Sequence, residues 1–198
     1  MTDQLALSPD AQDLLFRSAR TANTFTDEPV TEEQIVAVYD LVKYAPTAMN
    51  TQPLRIVLVR DGQPRERLLK HMADGNRDKT ANAPLVAVLA ADTEFHDHLP
   101  RTFPHFPGAR DLFADDAARE QAARFNASLQ IGYFLLGVRA AGLAAGPMGG
   151  FDAEGLENDL LAGTSLKALL VVNLGHPGPD AWFDRLPRLE HDEVVRTA

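Results

Sequence analysis

The amino-acid sequence predicts an α+β fold, a small mixed or antiparallel sheet flanked by helices. Three observations carry that reading. Few apolar runs have strand character, and they are unevenly spaced along the 198 residues. Helical stretches do not alternate with them regularly, as a doubly wound sheet would require. The glycine-rich run Gly146-Pro147-Met148-Gly149-Gly150 follows a helical stretch rather than a strand, so it is not a dinucleotide-binding fingerprint.

The elements follow in order. Ser8-Pro9 combines an N-cap with a first-turn proline and opens a helix to about Ala19, with Leu14, Leu15 and Ser18 at helical spacing. Thr31 and Gln34 form a capping box for a helix to about Tyr44, whose buried side is Ile35, Val38, Leu41 and Val42. Ala45-Pro46 ends it. Residues 54–60 (LRIVLVR) are short, apolar and β-branched, which predicts a strand. A helix over 64–73 leads to a second buried strand at 85–91 (LVAVLAA). The longest helix spans 115–141, and its second half is apolar on nearly every side. Such a helix requires burial on several faces, in a core or against another subunit. Gly142 supplies its C-cap. Asp152 caps a short helix to about Leu161, and residues 169–175 (LLVVNLG) form a third strand. The tail from Trp182 onward is polar and interrupted by proline.

Composition excludes several classes. Hydrophobic residues make up 45% of the chain, enough for a sizeable core. A formal charge of -9 provides no net attraction for nucleic acid or an anionic membrane, so neither is an expected partner. The absence of cysteine excludes disulfides, thiolate metal sites and thiol nucleophiles, and fits a cytoplasmic protein. Residues 1–9 lack a basic-then-apolar signal pattern, and no apolar run is long enough to span a bilayer. The histidines (His71, His96, His98, His105, His176, His191) are scattered, and His96-Asp97-His98 has no third ligand at a useful spacing, so no metal site is expected. No nucleophile-elbow signature is present.

Five constellations could carry chemistry. Arg20-Thr21-Ala22-Asn23-Thr24-Phe25, at the end of the first helix, sets a guanidinium beside a hydroxyl, which suits a phosphate ester or a neutral surface. Residues 45–53 lie between two prolines and present Thr47, Asn50 and Gln52 to a flat heteroaromatic, or form an ordinary helix-to-strand turn. Asn76-Arg77-Asp78-Lys79 offers an ammonium to an anionic ring, or is a solvated helix end. Residues 146–152 allow close backbone approach to a ligand, or are a linker. Arg185-Leu186-Pro187-Arg188 could grip a phosphate, or is a charged tail.

The order of these motifs resembles the FMN-dependent nitroreductase family over about residues 12–195. Members carry an arginine-rich motif ending in Phe, here at 20–25. They follow it with Pro-Ser-x-x-Asn-x-Gln-Pro, here Pro46-Thr47-Ala48-Met49-Asn50-Thr51-Gln52-Pro53. Asn76 and Lys79 match an Asn-x-x-Lys, and residues 132–143 match the dimer-forming helix. Residues 147–152 match a Pro-x-x-Gly-Phe-Asp loop lying on the isoalloxazine. A narrower similarity, at 99–105, Ala109-Arg110, 163–167 and 185–189, is to the short subfamily containing malonic semialdehyde reductase (3-hydroxypropanoate dehydrogenase). Two departures matter. Ala19 and Asn23 stand where basic residues are common, and Gly149 stands where Glu is common.

The resemblance implies one nitroreductase-like domain over residues 1–198, assembled as an intertwined homodimer with FMN and using NADH or NADPH. Hydride passes through the flavin N5 by ping-pong kinetics to a small-molecule acceptor, with no obligatory side-chain nucleophile. Malonic semialdehyde is the favoured acceptor. A general nitro or quinone reductase, or a flavin-binding protein with little turnover, is the alternative. Pro46, Thr47, Ala48, Asn50, Gln52, Pro147, Met148, Gly149 and Gly150 would hold the ring. Asn23, Asn76 and Lys79 would meet its pyrimidine edge. Arg20 and Thr21 with Arg185 or Arg188 would bind the phosphate, the tail and the 46–53 loop coming from different subunits. Arg110, with Arg101 and His105, is the implied contact for an acceptor carboxylate, unless Arg110 pairs with Asp111 or Asp115.

Overall fold

The computed structural model describes residues 5–198; the first four residues of the polar N-terminal stretch lie outside it. The described residues build a four-stranded sheet from β1 (Leu54–Val59), β2 (Leu85–Asp92), β3 (Ala144–Met148) and β4 (Leu166–Gly175) in the order β1-β2-β4-β3. Every pairing is antiparallel, which resolves the mixed-or-antiparallel expectation. β2 is buried along its whole length. Its side chains alternate, Leu85, Ala87 and Leu89 into one core and Val86, Val88 and Ala90 into the other. That two-sided burial explains the unbroken apolar run in the sequence.

β3 corrects the sequence reading, which took residues 146–150 for a glycine-rich loop. Gly and Pro are poor strand formers. β3 tolerates them because it pairs with β4 alone and has a free edge, where a missing N–H costs no ladder bond. Gly146 is required there, since a Cβ would lie 2.6 Å from the Ala22 carbonyl oxygen.

One face of the sheet is covered by α2 (Glu32–Val42) and α6 (Asp116–Ala140). α2 opens with the expected Thr31–Gln34 capping box, but Leu41 is 58% exposed rather than buried. Val38 and Val42 meet α6, and Leu41 lies about 80° away from the centre of that face. The other face is covered by α3 (Gln63–His71) and α7 (Ala153–Asp159), through Leu68, Met72 and Leu156. α7 is capped by Asp152 as expected and ends two residues short of Leu161. The first helix is shorter than expected. α1 (Pro9–Gln12) widens into a π turn over Asp13–Arg17, closed by Ser18 N–H to the Asp13 carbonyl, and only Gln12 in it is buried. α4 (Asp74–Ala81) was not expected as a separate helix, so Asn76 and Lys79 sit within a helix rather than at the end of one. α5 (Leu99–Thr102) with its flanking 3-10 turns forms a segment over β2's end, anchored by Phe95 against Phe113 and Ala123. The tail is extended except for α8 (His191–Val194), and every residue after Ala181 is exposed. No helix among the described residues is long and apolar enough to cross a membrane.

Two substitutions test this packing. A Cβ on Gly137 of α6 would lie 2.3 Å from Val42 Cγ1 and 3.3 Å from Val38 Cγ1, both stiff β-branched neighbours. Gly137→Ala gains up to about 1 kcal/mol of helix propensity but overpacks the core by about 1–3 kcal/mol, so a net loss of stability is expected in urea unfolding. The Asp159 carboxylate ties α7 to α3 through Arg67 and His71, and these bonds hold its pKa below the ordinary value. Stability from such a carboxylate is present above the usual range and disappears as pH falls through the lowered value. Asp159→Asn should therefore lower the urea midpoint at neutral pH, with the difference from wild type shrinking below about pH 4.

Candidate functional site

The residues singled out in the sequence gather into two clusters on opposite sides of α6. The first lies along β3. Residues 20–25 run extended beside it, with Ala22 N–H donating to the Ala145 carbonyl and Asn23 N–H to the Ala181 carbonyl. They lie beyond the helix end rather than on it. Two arginines lace this motif to the tail reciprocally: Arg20 donates to the Phe183 carbonyl at 2.9 Å, and Arg185 donates to the carbonyls of Arg17 and Ala19. A cavity of about 240 Å³ opens between them, lined by Arg20, Thr21, Asn23, Asp184, Arg185 and Arg188. Its neighbour, of about 310 Å³, adds Pro147 and the α6 residues Gly132, Leu136 and Arg139.

At the other end of this cluster, Asn76 Nδ2 and Ala73 N–H both donate to the Gly150 carbonyl, at 3.0 and 3.1 Å. A Cβ at Gly150 would lie 2.8 Å from Asn76 Nδ2, so a side chain there would displace the Asn76 amide from the Gly150 carbonyl. Nothing lies within 4 Å of the Cβ position at Gly149, which leaves its backbone open to a ligand. Lys79 is half-buried, and its ammonium has no hydrogen bond or ion pair among the described residues. Met148 departs from expectation. Its side chain is buried, with the Thr80 hydroxyl and Asn173 amide directed at its sulfur, so only its backbone is available to a ligand.

The second cluster is the loop carrying Pro46, Thr47, Ala48, Asn50 and Gln52. Met49, Asn50 and Gln52 have φ of 51°, 51° and 44°. Left-handed backbone at non-glycine residues costs on the order of 1 kcal/mol each, less for Asn, and needs outside support. That support comes from α6. Asn126 Oδ1 accepts from Ala48 N–H at 2.8 Å, and Gln130 Oε1 accepts from Leu54 N–H at 2.9 Å. Thr47 Oγ1 accepts from Gln52 N–H inside the loop. Asn50 is already engaged: its amide donates to the Thr102 carbonyl at 2.8 Å, and its oxygen accepts from Gln52 Nε2. It therefore fastens the α5 segment to the loop. Asn126 and Gln130 were not singled out in the sequence. The readable signal was two amides at i, i+4 spacing on the helix face that also carries Ala123, Ala127, Ile131 and Phe134. Asn173, an amide inside the apolar strand β4, was missed in the same way; it donates to the Lys79 carbonyl at 3.1 Å.

The α5 segment lies beside this second cluster. Arg110 pairs with Asp97 at 2.7 Å, rather than with Asp111 or Asp115, and that guanidinium holds the Asp97 carboxyl below its usual range. His105 packs on the Phe103 ring at 3.9 Å between centroids. Arg101 has no hydrogen-bond or ion-pair partner among the described residues.

The two clusters do not converge within the chain. Successive residues turn about 100° around a helix, so Gly132, Leu136 and Arg139 lie on the face opposite Asn126 and Gln130. The loop leads into β1 at one sheet edge, and Pro147 belongs to β3 at the other. The exposed face of α6 carries Phe125 (65% exposed), Leu129 and Tyr133, and the tail exposes Phe183, Leu186 and Leu189. Single exposed hydrophobics are ordinary; here Phe125, Leu129 and Tyr133 stand one turn apart along one helix.

The nitroreductase family matches over residues 16–176. A protein of Streptomyces griseus, named as a candidate NADH dehydrogenase/NAD(P)H nitroreductase, is 63% identical over 194 residues, covering 98% of each chain. A candidate nitroreductase of Exiguobacterium sibiricum, solved in complex with FMN, aligns with a TM-score of 0.82 at 15% identity, over 96% of this chain and 98% of that one. A candidate NAD(P)H:FMN oxidoreductase of Staphylococcus epidermidis aligns with a TM-score of 0.81 at 19% identity, over 98% of both. At such identities the two structures establish the fold alone. The family match takes in both clusters except the tail arginines Arg185 and Arg188.

Proposed function

This chain belongs to the nitroreductase family, and from that premise we propose that it is an FMN-dependent NAD(P)H oxidoreductase, active as a homodimer of one domain per chain. The observation that carries the proposal is the first cluster, where a phosphate-sized cavity lined by Arg20, Arg185 and Arg188 and open glycine backbone at Gly149 border the same strand. These residues fit FMN at both ends. Each guanidinium has five N–H donors, and the bonds that tie Arg20 and Arg185 to backbone carbonyls leave others for a phosphate while fixing the orientation of the fork. Asn23 contributes an amide where a cation would strengthen the grip. Gly150 is held by Asn76, and the unpaired Lys79 ammonium can offset negative charge on the pyrimidine edge of a ring. FMN, when bound, supplies the hydride relay between NAD(P)H and an acceptor.

The Pro46 to Gln52 loop would come from a second copy. The division of the clusters between opposite faces of α6, the apolar stripe on that helix and the exposed tail support this assembly. On that arrangement the loop's left-handed backbone turns Thr47 and Ala48 toward the partner's ring, and the α5 segment of the same protomer shields the acceptor. We further propose a small aldehyde, malonic semialdehyde, as the acceptor, reduced to 3-hydroxypropanoate. The similarity at residues 99–105 and 185–189 and the side chain missing at Gly149 support it over a nitroaromatic.

The protein should purify yellow and as a species of twice the chain's mass in sedimentation. Under anaerobic conditions NADH or NADPH should bleach it, and malonic semialdehyde should restore the colour faster than nitrofurazone or a benzoquinone. A yellow protein that neither nucleotide bleaches would reduce the reading to flavin binding. A colourless monomer that added FMN cannot reconstitute would end it.

A further inference from the structure

A cavity of about 450 Å³ lies between β1, the end of α2 and the α5 segment, away from the phosphate and glycine ends of the flavin site. The chain has 28 acidic residues against 19 lysines and arginines, yet this lining holds Lys43, Arg55, His98 and Arg101 and no acid. Lys43 and Arg55 are paired with Asp40 and Asp92, which stand outside the lining. Arg101 has no partner among the described residues, and a guanidinium cannot shed its charge. One further group in the lining has unmet hydrogen-bonding capacity, whereas the Thr51 hydroxyl is closed off from the cavity. Gln130 is buried, and because its oxygen is held by Leu54 N–H, its Nε2 remains a free donor.

We propose that this cavity is a carboxylate subsite that holds the acidic end of a small acceptor, with Arg101 as its principal anchor and Gln130 as a neutral donor. The proposal rests on the reductase reading only for the statement that the bound acid is the acceptor. Thr51 and Gln52 belong both to the cavity and to the left-handed loop. A short acid anchored there therefore keeps its other end beside the loop that faces the ring. A guanidinium presents paired donors in the plane a carboxylate accepts, which selects an acid over an uncharged aldehyde of the same length. The assignment moves the anchor from Arg110, which is committed to Asp97, to Arg101, which is uncommitted.

The test uses malonate, a stable acid of the right length, titrated calorimetrically into the full-length holoprotein at low salt. Saturable binding is expected, with malonamide failing to compete. Arg101→Gln should weaken malonate about tenfold or more, Arg101→Lys should retain part of the affinity, and Arg110→Ala should stay within about twofold. Absence of malonate binding, or equal binding by Arg101→Gln, overturns the proposal. The tail acids Glu190, Asp192 and Glu193 of a second copy are a competing source of carboxylate. If a full-length variant with all three made neutral amides binds malonate strongly and wild type does not, the cavity belongs to the tail and the small-acid subsite is overturned. Malonate binding without bleaching by NAD(P)H keeps the subsite and removes the reductase reading; bleaching without malonate binding does the reverse.

Discussion

The arrangement depends on α6 being a rigid rod with two different faces. Its 25 residues span about 37 Å at the usual helical rise. On the buried face, Asn126 and Gln130 clasp the backbone of the loop that enters β1. On the outer face, Gly132, Leu136 and Arg139 line the cavity beside Arg20 and Arg188. A rigid helix cannot present both faces to one ligand. The same outer face carries Phe125, Leu129 and Tyr133, which are 65%, 43% and 44% exposed. The geometry that separates the two clusters therefore also provides a surface through which a second copy can bring them together.

The site is assembled at a cost in stability. Three non-glycine residues sit in the left-handed region, and among the described residues the Thr51 hydroxyl, the Asn173 side-chain oxygen, Arg65 Nε and His96 Nδ1 are buried without hydrogen-bond partners. The left-handed backbone falls within the loop of the second cluster, while β2 sends alternate side chains into the two cores. Strain of this kind persists only where surrounding structure fixes it. Here that support is specific: the Asn126 and Gln130 side chains, the Thr47 hydroxyl, and the Asn50 amide that fastens α5 to the loop.

Much of the frame was legible in the chain. β2 read as a buried strand because both its faces are covered, and α2 and α7 were announced by caps whose hydrogen bonds are present. β3 was hidden because an edge strand can accept a proline and a glycine that would disqualify a central one. Leu41 misled because an apolar residue on an amphipathic helix need not face its own core. The site motifs were legible as an ordered series, yet the groups that hold them were not. Asn126, Gln130 and Asn173 are distant in sequence from what they support, and Asp97 lies 13 residues from the arginine it neutralises. Local spacing cannot reveal such partners; only the packing of α6 and β4 against the sheet creates them.

The central claim, that each site is shared between two protomers, is tested most directly with hybrid dimers. One variant, Arg20→Ala with Lys79→Ala, disables the cluster along β3. The other, Asn126→Ala with Thr47→Ala, releases the loop. Both homodimers should bind FMN poorly. A differently tagged hybrid of the two contains one site with both defects and one with neither, so it should recover flavin in half of its sites. A hybrid as empty as its parents would show that each protomer builds its site alone, and would contradict the account.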